Sequence, residues 1–218
     1  MQSSRLLKNV KDSYSKIATE FDATRNKKWP EFDALLTDLK SNSKFLKNHK
    51  LLDAGCGNGR LADFLKEEPI KYVGLDNNKE LLKIAKKKHP KLTFCHGDIL
   101  KLPFPKASFD SVWCIAVLHH LPTKSLQLKA LKEMKRVLKK NGMLMLTVWD
   151  LWQKKYKKYI DKKTHHSFIP WGPEKEIKRF YYAFTKAELK KLISKAGLTS
   201  SSLNSTPYNL VFTCHEKS

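Results

Sequence analysis

Apolar side chains recur along this chain in two rhythms, and the change from one to the other falls near residue 50. Before it, Leu6, Val10, Tyr14, Ile17 and Phe21 repeat at helical spacing, which predicts one amphipathic helix at the N-terminus. Trp29-Pro30 opens a second helix carrying Phe32, Leu35, Leu36 and Leu39, since proline suits a first helical turn. From Lys50 onward short apolar runs alternate with helical spacings. The pattern predicts strands near 50–54, 71–75, 92–95, 109–116 and 143–149, separated by helices near 60–66, 79–88 and 125–138. Asn141-Gly142 is read as the end of that last helix, turning the chain into the fifth strand. Such βαβ alternation predicts an α/β fold, a doubly wound and mostly parallel sheet with helices on both faces.

After Trp149-Asp150 the rhythm breaks into a basic, aromatic segment over about 151–182. Thr185 to Ala196 returns to helical spacing with Gly197 as its cap. Two strands then follow, near 198–203 and 208–214, joined by a turn from Asn204 to Pro207. No internal repeat or low-complexity linker divides the chain. The expectation is a single domain over 1–218, with an N-terminal helical lid (about 1–48) and a basic insert (about 151–182) that decorates it.

Two predicted strands end in carboxylates, and the loop after the first is rich in glycine. Leu51-Leu52-Asp53-Ala54 runs into Gly55-Cys56-Gly57-Asn58-Gly59-Arg60. Glycine tolerates positive φ and lets a ligand approach the backbone. The spacing is Gly-x-Gly-x-Gly, not the Gly-x-Gly-x-x-Gly of dinucleotide enzymes. Lys71-Tyr72-Val73-Gly74-Leu75 ends in Asp76, placed to accept hydrogen bonds from both hydroxyls of a ribose; Asn77 or Asn78 can cap the next helix. With His96-Gly97-Asp98-Ile99 and Ser108 to Leu121, these segments resemble class I S-adenosylmethionine (AdoMet)-dependent methyltransferases. The resemblance implies a Rossmann-like seven-stranded, mostly parallel sheet whose last strand runs antiparallel. It implies cofactor contacts from Asp53, Gly55, Cys56, Gly57, Asp76, Asn77, Asp98, Ile99 and Cys114, with Asp98 on the adenine amino group and Ile99 beside the ring.

Charge changes the picture. The 218 residues carry 43 Lys and Arg against 21 Asp and Glu, a net charge of +22. Residues 151–218 hold fourteen basic and five acidic residues, with Lys154, Lys155, Lys157, Lys158, Lys162 and Lys163 close together among Trp152, Tyr156 and Tyr159. Lysines beside rings suit a polyanion, because phosphates release counterions and bases stack on aromatics. No apolar run reaches the roughly 18 residues that span a bilayer, and no signal-peptide core is visible, so a cytoplasmic protein is expected. Cys56, Cys95, Cys114 and Cys214 form no Cys-x-x-Cys pair, so reduced thiols are expected and a metal site is not.

A narrower resemblance rests on residues outside the cofactor segments. Tyr14-Ser15-Lys16-Ile17-Ala18-Thr19-Glu20-Phe21-Asp22-Ala23-Thr24-Arg25-Asn26-Lys27-Lys28-Trp29-Pro30, Ala116-Val117-Leu118-His119-His120, Phe168-Ile169-Pro170-Trp171 and Arg179-Phe180-Tyr181-Tyr182-Ala183-Phe184 are similar to the eukaryotic-type tRNA wobble-uridine carboxymethyl methyltransferases. The likeness covers nearly the whole chain. It implies methylation of the carboxylate of 5-carboxymethyluridine in tRNA, and a small zinc-ribbon activator protein that covers an apolar patch. Members commonly carry a long charged insertion where this chain has only Gly172 to Lys178 before Arg179, so any contact made by that segment is missing here.

A carboxylate acceptor is already ionised at neutral pH, its ordinary pKa being about 4.3, and needs no general base. It does need a cation that recruits it, and an arginine fork binds carboxylates through two parallel bonds. Arg25 and Arg179 hold the family positions for that role. Of the adjacent His119 and His120, one is expected near the cofactor and one at the substrate, on opposite sides of an extended segment. His119 is counted with the arginines as a catalytic candidate. Tyr14, Trp29, His120, Trp149, Tyr181 and the lysines Lys154, Lys155, Lys157 and Lys158 are the candidate substrate contacts. Two other readings stay open. A small-molecule methyltransferase of the ubiquinone or menaquinone type would have an apolar lid and no use for a basic insert. A non-catalytic RNA-binding scaffold would have lost Gly55, Gly57, Asp76 or Asp98, all of which are present.

Overall fold

The structure is a computed structural model that describes residues 2–25, 29, 31–42, 47–172, 176–206 and 208–216. Asn26, Lys27, Lys28 and Pro30 of the predicted lid element, and Pro207 of the last turn, lie outside the described residues.

The chain begins with α1 (Gln2–Lys16), α2 (Ala18–Ala23) and α3 (Glu31–Asn42). The expected single N-terminal helix is two, broken at Ile17, whose φ of −103° and ψ of 9° leave the helical region. The apolar spacing continues through the break because it is one residue long, and Ile17 is buried while Leu6, Val10, Tyr14 and Phe21 are half-buried.

Alternation then follows as β1 (His49–Ala54), α4 (Arg60–Leu65), β2 (Ile70–Asp76), α5 (Lys79–Lys88), β3 (Thr93–His96), β4 (Phe109–Ile115), α6 (Lys124–Val137) and β5 (Leu138–Trp149). The rest comprises α7 (Lys154–Lys157), β6 (His166–Trp171), β7 (Ile177–Tyr182), α8 (Lys186–Lys195), β8 (Leu198–Ser205) and β9 (Asn209–Glu216). Seven strands form one sheet in the order β3-β2-β1-β4-β5-β9-β8. The pairs among β1 to β5 are parallel, whereas β9 is antiparallel to both β5 and β8.

Period-two alternation decides which face each strand residue covers. Leu52, Val112, Cys114, Leu144 and Leu146 join α6 and α8 in one core layer, against which Leu6, Leu7 and Val10 of α1 pack. Leu51, Trp113, Met143 and Met145 face the other way, onto α3, α4 and α5. Asn141-Gly142 does not open β5 as expected. α6 hands over to the strand at Leu138, which pairs with Phe109, and the register then jumps to Ser111 with Met143. Asn141 takes a φ of 64° inside that irregularity, so the two residues make a bulge within a strand already begun.

The 151–182 segment is a short helix and a hairpin of β6 and β7, a separate two-stranded sheet. Alternation along β7 sends Phe180 and Tyr182 into the main core. Tyr181 joins Leu151, Ile160, Ile169 and Ala183 in a small third cluster.

Candidate active site

The carboxyl ends of β1, β2 and β4 open onto a cleft of about 1320 Å3 of empty space, part of it continuous with solvent. Ligands of open α/β sheets bind at this end, where strand order reverses. Of the residues expected on the cofactor side, Asp53, Gly55, Cys56, Gly57, Asp76, Asn77, Asp98 and Ile99 line it. Cys114 does not. It is fully buried, because its place in β4 puts its side chain on the α6 and α8 face of the sheet.

The loop after β1 is shaped by glycine. Gly55 holds a φ of 95°, and a Cβ there would stand 2.4 Å from a Val117 methyl group, so a side chain would collide with the loop after β4. Asp76 ties the two strand ends together: its Oδ2 accepts from the Gly57 N–H at 2.8 Å and its Oδ1 from the Asn78 N–H at 2.8 Å. Burial raises its pKa, opposed by these backbone bonds. The helix cap is Asn78, whose Oδ1 accepts from the N–H groups of Glu80 and Leu81. Asp53 is buried and accepts from the Tyr72 hydroxyl at 2.7 Å; burial pushes it up to about 7. A carboxylate pair at the strand tips, with a glycine loop between, fits a cationic amino-acid end and a ribose. These are the groups that AdoMet would present here.

The N-terminal helices close one side. Asn78 Nδ2 donates to the Lys11 carbonyl and the Ser15 hydroxyl of α1, and Asn58 Nδ2 donates to Asp22 of α2 at 2.6 Å. Tyr14, Phe21, Arg25 and Trp29 thereby line the cleft together with His119, His120 and Trp149.

The two histidines do not point apart. Leu118–His120 is a turn of 3₁₀ helix, in which successive side chains rotate by about 120° instead of 180°. Both rings therefore line the cleft, 4.5 Å apart and edge to face. The Trp149 N–H donates to His119 Nδ1 at 3.1 Å, which leaves the proton of the neutral ring on Nε2. His120 bonds the Phe180 carbonyl through Nδ1 at 2.9 Å and Tyr14 through Nε2 at 3.1 Å. A carbonyl can only accept, so Nδ1 carries the proton, and the Tyr14 hydroxyl donates to Nε2. Burial holds His119 well below its ordinary pKa and His120 down at about 3, with the Arg179 charge adding to both.

Arg179 sits behind this wall, 2% exposed, and is not among the cleft-lining residues. Its Nη1 donates to the Tyr14 hydroxyl at 3.2 Å. Its guanidinium carbon lies 5.4 Å from the ring of Tyr14, 5.8 Å from Trp149, 5.8 Å from Trp171 and 5.5 Å from Tyr181. Tyr181 is likewise buried, stacked on Trp149 at 5.0 Å and 17°. Among the described residues Arg179 has no ion-pair partner and its Nε no acceptor. Arg25 reaches the cleft itself. Its guanidinium lies 4.5 Å above the Phe21 ring and among the described residues bonds Thr24, and burial lowers its pKa with a further push from Arg179.

Arg60 was not expected at the site. It lines the cleft, stacks 4.5 Å from the Trp29 ring, and is lowered to about 10 by burial and by Arg25. Its place directly after the glycine loop is the sequence signal that could have found it. Lys154, Lys155 and Lys157 on α7, and Lys158 that caps it, are exposed and stand outside the cleft. Among the described residues no cluster of three or more His, Cys, Asp or Glu is placed to hold a metal, and no helix is long and apolar enough to cross a membrane.

The methyltransferase domain family matches residues 52–146. Over 211 residues the chain is 32% identical to the tRNA (carboxymethyluridine(34)-5-O)-methyltransferase of Schizosaccharomyces pombe, covering 86% of this chain and 87% of that protein. It is 38% identical over 143 residues to the protein of the same name in Arabidopsis thaliana, covering 65% of this chain and 33% of that protein. Among solved structures it is similar to a SAM-dependent methyltransferase of Methanosarcina mazei, with a TM-score of 0.74, 21% identity and coverage of 88% and 99% of the two chains. It is also similar to a complex of the Haloferax volcanii Trm112 methyltransferase activator with a methyltransferase, with a TM-score of 0.70, 18% identity and coverage of 96% and 98%. At such identities these two show the fold.

Proposed function

Since the chain belongs to the tRNA (carboxymethyluridine(34)-5-O)-methyltransferase family of AdoMet-dependent enzymes, we propose that it methylates the carboxylate of 5-carboxymethyluridine at the tRNA wobble position. AdoMet supplies a methyl group activated on a sulfonium, and its transfer to a carboxylate oxygen leaves a thioether and releases no proton. In this reading Asp76 takes the ribose hydroxyls, Asp53 faces the amino-acid end, and Asp98 and Ile99 frame the adenine.

One observation carries the choice of acceptor. Around Tyr14 the site carries two guanidiniums and, among the described residues, no carboxylate paired with either. Arg25 presents its fork to the cleft, Arg179 adds a second charge behind Tyr14, and neither is ion-paired among the described residues. A buried cation without a counterion is costly, so the site is built for an anion that the substrate brings. The histidines there are held neutral and are weak bases, His120 at about 3. An amine or hydroxyl acceptor would need a base near neutrality, whereas a carboxylate needs only donors. The Nε2–H of His119 is such a donor, left without an acceptor by the described residues. Tyr14, its hydroxyl committed to His120, and Trp149 form walls that orient the base and keep water out.

The names of the relatives favour tRNA over a quinone precursor. The fold match to a methyltransferase solved with an activator supports an activator subunit here as well. Its interface would not be a broad apolar patch on the described surface, where Phe168 and Tyr208 are the exposed large apolar side chains. The test is incubation with labelled AdoMet and tRNA whose wobble uridines carry carboxymethyl groups, beside unmodified transcript, with and without a coexpressed activator. Label should enter only the carboxymethylated RNA and leave it in mild alkali, as a methyl ester does. An alkali-stable methyl group would reject the carboxylate acceptor.

A further inference from the structure

The segment after β5 concentrates lysines with almost no acid among them. Elsewhere some lysines stand beside acids, as Lys8 does with Asp12, Lys40 with Glu68, and Lys139 with Asp110. From 151 to 168 the sequence holds six lysines and one acid, Asp161. That carboxylate is occupied by its own turn, accepting from the N–H groups of Lys163 and Thr164. Lys154, Lys155, Lys157, Lys158, Lys162 and Lys163 are all exposed, and among the described residues none is in an ion pair.

The segment is held firmly from beneath. Leu151 and Ile160 are buried in the third apolar cluster, with Trp152, Tyr156 and Tyr159 packed against it. Lys155 and Lys158 lie over the rings of Tyr156 and Tyr159, each at 5.2 Å. The strip is also continuous with the cleft: Trp149 lines the cleft, and its ring is 6.0 Å from that of Tyr156. Charge without counterions, on a fixed support that begins at the mouth of the site, is a surface for a polyanion.

We infer that this strip docks the sugar–phosphate backbone of the anticodon stem–loop beside the nucleotide in the cleft. The inference rests on the tRNA reading above. Each phosphate neutralised releases counterions and steepens the log–log salt dependence of binding by about 0.7–0.9. Four contacts therefore contribute a slope of about 3.

The experiment compares two variants with equal loss of charge. One replaces Lys154, Lys155, Lys157 and Lys158 with glutamine. The other does the same at the exposed Lys86, Lys87, Lys190 and Lys191. Binding of an unmodified anticodon stem–loop RNA is followed by fluorescence anisotropy over a salt series, and S-adenosylhomocysteine titration checks the fold of each variant. The strip variant should lose about 3 from the slope, and the control less than about 1. Equal losses in both, or none in either, would overturn the inference in favour of diffuse surface charge. The probe carries no carboxymethyl group, so failure of the proposed acceptor leaves this readout intact. Conversely, a strip variant that methylates carboxymethylated tRNA at wild-type KM, with an unchanged slope, rejects the strip and keeps the reaction.

Discussion

Replacing Arg179 with methionine separates a charge kept for structure from a charge kept for substrate. The side chain is 2% exposed, makes one hydrogen bond at 3.2 Å, and has no counterion among the described residues. Its burial costs several kcal/mol, offset in part by cation–π contacts of about 0.5–2 kcal/mol each with the surrounding rings. Methionine fills similar space without the charge. The melting temperature should stay within about 4 °C of wild type or rise, which is about 1 kcal/mol for a chain of this size. The effect on activity should be larger. A guanidinium one ring behind the cleft wall, about 7 Å from a bound carboxylate, is worth about 2 kcal/mol at an effective dielectric near 20. That corresponds to roughly 30-fold. Methyl transfer neutralises the carboxylate, so the cation stabilises bound substrate at least as strongly as the transition state. The loss should therefore appear as a raised KM for carboxymethylated stem–loop RNA, with kcat within about threefold of wild type. Steady-state kinetics at saturating AdoMet, with a thermal melt of each variant, reads both quantities. A fall in Tm of about 10 °C or more, or a collapse of kcat at unchanged KM, would refute the reasoning. Arg179→Lys, which keeps the charge and loses the planar stack, should fall between the two.

Asp53, held at about 7, should make AdoMet affinity rise as pH climbs through that value, because a cationic ligand favours the ionised carboxyl; a flat binding profile in wild type, or an unflattened one in Asp53→Asn, would count against it. The same raised pKa acts on stability with a definite sign: the neutral form's contribution is complete below the unfolded value of about 3.9 and is lost as pH rises to about 7, so denaturation midpoints should favour Asp53→Asn more at pH 8 than at pH 5. Asp76→Ala should weaken AdoMet binding by at least about tenfold in calorimetry, since it removes a charge-assisted acceptor worth about 1.5–3 kcal/mol; affinity within about threefold would sink the assignment. Gly55→Ala would push a methyl group into Val117 at a φ of 95°, so AdoMet binding should be lost, and Gly55→Ala combined with Val117→Ala should recover part of it. Arg25→Lys should lower kcat/KM on carboxymethylated tRNA by about tenfold while the methyl product stays alkali-labile; full activity would discard the residue and keep the reaction.

The strand-tip half of the cleft was legible because its determinants are local. A strand tip, a glycine run and a carboxylate lie within ten residues of one another, as at Leu51 to Arg60. The strand that follows repeats the theme at Asp76, and backbone geometry alone then brings the two tips together. Cys114 failed for an equally local reason: one step along β4 reverses the face, and a glycine loop gives no hint of which face a neighbouring strand presents. The expectation that His119 and His120 lie on opposite sides failed through a wrong backbone state, since an extended segment separates adjacent rings and a 3₁₀ turn brings both to one wall.

The acceptor half was hidden by distance along the chain. Arg179 meets Tyr14 across 165 positions, and Tyr14 meets His120 across 106. Sequence could name these residues through a family likeness, but could not separate a guanidinium that faces the cleft, as Arg25 does, from one that acts through a tyrosine. Nor could it show what is missing around them. The chemistry proposed for this site depends on an absent counterion, and an absence of that kind exists only once the fold has decided which of the chain's 21 acids come near. The chain brings Asp53 and Asp76 to the cleft at its strand tips, and leaves Arg25 in the cleft and Arg179 behind its wall without an ion pair among the described residues. In the proposed reading the cationic end of the cofactor lies toward the acids, and an anionic acceptor lies toward the arginines. In that reading an electrophile meets an ionised nucleophile without a base, in keeping with histidines that burial and the Arg179 charge hold neutral.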